Sequence, residues 1–89
     1  MEETTVLSGY GIVVVDRGFV YVGDVRCGPE WCIITNARNI RCWGTTRGLG
    51  QLALEGPTKE TKLDPIRTVR VPMRAVISVI DSEAAKWTK

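Results

Sequence analysis

Two runs of strand-forming residues, Tyr10–Val15 (YGIVVV) and Phe19–Arg26 (FVYVGDVR), stand only three residues apart. That spacing is the tightest constraint on the fold. Residues branched at Cβ favour extended backbone, because their χ1 freedom is already restricted and they pack well on a pleated surface. Asp16-Arg17-Gly18 has room for a short turn and nothing more, so the runs are predicted to pair as an antiparallel hairpin. Gly23 interrupts the second run and marks a bulge or a close backbone approach.

Gly28-Pro29-Glu30 is a second turn, and Trp31–Thr35 (WCIIT) reads as a third strand. Asn36-Ala37-Arg38-Asn39 has the composition of an interruption, after which Ile40–Trp43 (IRCW) returns to extended character. Leu49, Leu52 and Ala53 fall at helical spacing within Gly48–Glu55, and Gly56-Pro57 ends that segment. Gly48 and Gly50 weaken this helix, so it should be short and held by packing. Residues 58–65 read as a polar loop. Val69 and Val71 alternate with polar neighbours up to Pro72, and Ala75–Ile80 forms a last strand. Asp81 and Ser82 are candidate caps for a short terminal helix running to Trp87. The expected fold is α+β and mainly β: about five antiparallel strands in a curled or small barrel-like sheet, with one short inserted helix and a short C-terminal helix.

With 89 residues there is room for one domain, 1–89, of which residues 1–8 are expected to be loosely ordered. A core this small is marginal by itself, which favours homo-oligomerisation. The longest apolar runs, Ile12–Val15 and Trp31–Ile34, are far below the roughly 20 residues of a spanning helix, and Met1-Glu2-Glu3 is unlike a secretory leader. The sequence therefore predicts a soluble, cytoplasmic protein without membrane contact. Net charge is only +2, too little for strong binding to duplex nucleic acid.

The chain contains no histidine. That removes the usual proton shuttle near neutral pH and excludes a serine or cysteine nucleophile activated by histidine. Cys27, Cys32 and Cys42 are too few for a four-ligand structural zinc site within one chain, and reduced thiols are expected. Gly44-Thr45-Thr46-Arg47-Gly48-Leu49-Gly50 lacks the Gly-Lys-Ser/Thr ending of a phosphate-binding loop and continues to no third glycine at dinucleotide spacing. These absences point to a protein that is not an enzyme and takes no cofactor and no metal.

One stretch favours an anion. Asn36, Arg38, Arg41, Trp43, Thr45, Thr46 and Arg47 fall in a segment free of acidic residues that leads into the predicted helix. Guanidinium groups suit bidentate contact with phosphate, an indole face stacks a base, and helix N-terminal amides favour negative charge. The simpler reading makes Trp43 a core residue and Thr46 an N-cap. Arg67, Arg70 and Arg74 form a second basic cluster, at a solvated edge or a subunit contact.

Thr35, Asn36, Ala37, Arg38, Ile40, Trp43 and Gly44, followed by Leu49, Gln51, Leu52, Ala53, Gly56, Ala75, Val76 and Ile80, form a pattern. It resembles that of a small phage and prophage family of unknown function. The Thr-Asn-Ala-Arg and Gln-Leu-Ala blocks are its most specific parts. The chain departs from the pattern at Cys27–Cys32 and at Thr45-Thr46-Arg47. The resemblance implies a small accessory protein made during infection and active in the host cytoplasm. Two functions are expected from residues and resemblance together. One is an oligomer that sequesters a small anionic nucleotide signal of host defence. The alternative is a protein-interaction module that inhibits a host enzyme or scaffolds phage assembly, making contact along edge strands near Pro72 and the Arg67–Arg74 segment.

Overall fold

The computed structural model describes residues 7–43 and 48–87. The first two β-branched runs pair as the spacing requires. Strand β1 (Leu7–Val15) and strand β2 (Phe19–Cys27) are antiparallel and in continuous register, from Tyr10 opposite Asp24 to Val15 opposite Phe19. A single 3-10 turn, Asp16–Gly18, joins them. Gly18 sits at φ 84°, a left-handed value that a side chain resists, and so closes the turn.

Strand β3 (Trp31–Cys42) pairs with β2 and completes a three-stranded meander. Its outer margin is shared. Strand β4 (Lys62–Pro65) pairs with its second half, and strand β5 (Val69–Pro72) with its first. One 3-10 turn, Met73–Ala75, leads from β5 into strand β6 (Val76–Asp81), which pairs with β1 at the opposite margin. The run 69–81 therefore links both margins of the meander, and the six antiparallel strands form one sheet, at most slightly curled, ordered β4-β3-β2-β1-β6, with β5 beside β4 on β3.

Side chains alternate across a strand, and here both faces of the meander are buried. On one face Val13, Val15, Val25, Cys27, Cys32, Ile34, Ala37 and Val71 form a core, with residues of β5 and β6 packed against it. On the other, Ile12, Val20, Val22 and Ile40 are covered by Leu52 and Ala53 of helix α1 (Leu49–Glu55) and by Trp87. This explains why the first run is continuously apolar instead of alternating: Ile12 and Val13 serve different cores.

Three expectations need correction. Asn36-Ala37-Arg38-Asn39 does not break the strand. Val22 lies opposite Arg38 and Asp24 opposite Thr35, so Asn36 and Ala37 together face the single residue Gly23 in a bulge. Asn36 takes φ 52°, which asparagine tolerates better than most residues. Gly23 is required there, because a Cβ would come within 2.8 Å of the Thr35 carbonyl oxygen and 3.2 Å of the Ala37 Cα. Second, the predicted loop 58–65 contains β4, a four-residue polar edge strand without a hydrophobic signature. Third, the terminal helix is one 3-10 turn, Ala84–Trp87. The Ser82 hydroxyl donates to the Ala53 carbonyl at 2.6 Å and accepts from Trp87 Nε1 at 2.9 Å, tying that turn to α1. The predicted loose order of residues 1–8 bears mainly on residues 1–6, which lie outside the described residues.

Candidate interaction site

The four described members of the predicted anion site do not converge. Arg38 and Arg41 are three apart on one strand, which places them on opposite faces. Arg38 lies with Ile40, Leu63 and Trp87. Its guanidinium donates to the Trp87 carbonyl at 2.9 Å, approaches the Tyr10 hydroxyl at 3.4 Å and stands 5.8 Å from the centre of the Trp87 ring. Its donors are aimed at the terminal turn, so it fastens that turn to the sheet. Arg41 projects from the other face and makes two hydrogen bonds to the Asp64 carboxylate, at 2.9 and 3.3 Å. That partner raises the Arg41 pKa further. Asn36 is the exposed bulge residue. Trp43 is 42% exposed beyond the end of β3, so it is not a core residue, and its carbonyl accepts from the Thr61 hydroxyl at 2.6 Å.

Thr45, Thr46 and Arg47 lie outside the described residues. Helix α1 has seven residues and its N-cap is Gly48, with no side-chain cap among the described residues. Two turns of helix add little dipole for an anion.

A different surface is better built. At the β2–β3 turn an open cleft of roughly 400 Å³ is lined by Pro29, Glu30, Trp31, Pro72, Met73 and Arg74. Trp31 stands directly opposite Pro72 in the β3–β5 ladder and remains 46% exposed. Met73 donates its backbone N–H to the Glu30 carbonyl at 2.9 Å, which fixes the turn against the 3-10 segment. Arg70 pairs with Ile33 and so shares the face of Trp31 and Pro72. Arg70 and Arg74 are exposed, and neither has a carboxylate partner among the described residues. A second hollow of similar volume lies among Ser8, Asp24, Arg26 and Thr35, but no exposed aromatic lines it. Composition alone did not reveal Trp31, since only the register brings it beside Pro72, Met73 and Arg74. The available hint was the Arg67–Arg74 cluster, all three of which are exposed.

No helix among the described residues is long and apolar enough to cross a membrane. Among the described ionisable groups, the cysteine whose pKa moves most is Cys32, pushed up to about 12 by burial first and by its neighbour Cys27 second. A shift in that direction keeps the thiol protonated and unreactive. Compared with family models, with curated proteins and with solved structures, the chain has no match in any of the three.

Proposed function

We propose that this chain is a non-catalytic binding domain whose contact surface is the Trp31 cleft, and that its partner is a protein presenting an acidic segment. The observation that carries this reading is an exposed indole seated in a preformed, partly apolar cleft, beside arginines with no carboxylate partner among the described residues. Indole and guanidinium groups are the side chains most often found to dominate protein interfaces. These exposed arginines favour a partner of opposite charge. The chain's resemblance to a phage and prophage family supports placing that partner in the infected cell, as a host enzyme or an assembly component. Sequestration of an anionic nucleotide has less support, because Arg38 and Arg41 face away from each other and are engaged within the chain.

The test is affinity capture from a bacterial host lysate with wild-type protein, Trp31→Ala and Arg70→Glu/Arg74→Glu. The proposal expects one protein retained stoichiometrically by wild type, weakened by added salt and lost from both variants, while denaturant midpoints stay unchanged. Equal capture by all three proteins would refute it. So would micromolar binding of a nucleotide in calorimetry that survives both variants.

A further inference from the structure

Cys27 and Cys32 are consecutive cysteines in sequence and direct partners in space. Gly28 donates its N–H to the Trp31 carbonyl at 2.8 Å, closing the β2–β3 turn. The next pair inward is Cys27 opposite Cys32. Hydrogen-bonded and non-hydrogen-bonded pairs alternate along an antiparallel ladder, so this is the narrow pair, where Cα atoms approach to about 4.5 Å. That lies within the range a disulfide spans, about 4.4–6.8 Å. The two Sγ atoms already touch at 2.7 Å, and both residues are buried, 1% and 0% exposed, in the core formed by Val13, Val25 and Val71. Cys42, by contrast, is exposed at the far end of β3.

We propose that Cys27 and Cys32 are a latent disulfide, formed within one chain by a peroxide and tying the base of the turn that presents Trp31. The chemistry balances with hydrogen peroxide as the oxidant. One thiol, as thiolate, attacks the peroxide O–O bond; with its proton delivered to the departing oxygen, it becomes a sulfenic acid and releases water. The second sulfur then attacks that sulfenic sulfur, forming the S–S bond and releasing a second water. Two electrons pass from the two thiols to the peroxide. Burial holds Cys32 in its thiol form, so the first step is slow and waits on opening of the hairpin end. The second step is fast, because the partner sulfur is already in contact.

The test uses the full chain carrying Cys42→Ser, which removes the exposed thiol without touching the core. The folded protein is treated with hydrogen peroxide, quenched, denatured and labelled with a maleimide. The expected result is loss of both label equivalents, an intact mass lower by two hydrogens, a monomeric chain, and full recovery after dithiothreitol. A companion protein carrying Cys27→Ser and Cys42→Ser leaves Cys32 without a partner, and should instead gain oxygen or remain a thiol. If both thiols of the Cys42→Ser protein still label, or if peptide mapping finds oxygen added to Cys27 or Cys32, or if chains cross-link, the proposal is overturned. These readouts do not depend on the function assigned to the Trp31 cleft.

Discussion

Replacing Trp87 by alanine tests the second core most directly. Trp87 is 2% exposed and packs with Ile12, Val20, Val22, Ile40, Leu52 and Ala53, the only described side chain of the terminal turn that enters this core. Truncating a buried tryptophan to alanine costs about 3–5 kcal/mol. A chain of 89 residues has a total stability of about 4–13 kcal/mol at typical values per residue. The variant therefore loses a large share of its stability, and its melting temperature should fall by more than about 10 °C. Trp87→Phe separates the causes. It keeps most of the volume but removes the N–H that donates to Ser82, and it should cost only about 1 kcal/mol plus a small packing loss. Urea unfolding followed by circular dichroism measures both, with equal m-values confirming that the same transition is observed. A loss below about 1 kcal/mol for Trp87→Ala would show that the terminal turn does not seal the outer face.

Gly23→Ala should destabilise by about 1–3 kcal/mol, because the new methyl meets backbone on the opposite strand; an unchanged urea midpoint would contradict the bulge geometry. Arg41→Ala, which removes an exposed ion pair, should leave the urea midpoint within experimental error, whereas Arg38→Met should lower it measurably. The folded-state pKa of Cys32 is raised, so the unfolded chain releases its proton first as pH rises. Stability is then full below about 9 and falls as pH climbs towards about 12. Urea midpoints across that window should slope downwards for wild type and less steeply for Cys32→Ala.

The hairpin was legible because its turn is too short for an alternative, and the Gly23 irregularity because a glycine within a β-branched run needs a reason. The Asn36–Asn39 segment was misread. Its composition is that of a turn, but ladders to β2 on one side and β4 on the other hold it extended, and the bulge absorbs the one residue that does not fit. Had the segment turned, Arg38 and Arg41 would have been free to converge; on a continuous strand, a separation of three residues puts them on opposite faces. Strand β4 was illegible, since Lys62-Leu63-Asp64-Pro65 offers one large apolar residue and ends in a proline, and it is placed by its pairing with β3. Trp31 drew no attention because its neighbours Pro72, Met73 and Arg74 are some forty positions away along the chain.

The glycine-to-glycine pairing of β1 and β2 has a wider consequence. Gly11 lies opposite Gly23, and a Cβ on either one would strike a carbonyl oxygen of the next strand out, Ile80 on one side and Thr35 on the other. Because these strands are greasy above and below, water does little to distinguish the native alignment from one displaced by a residue. The paired hydrogens act as a key: any displacement pushes a bulky neighbour into a slot cut for none. Mutational drift among the valines and isoleucines should therefore be forgiven far more readily than the loss of either glycine.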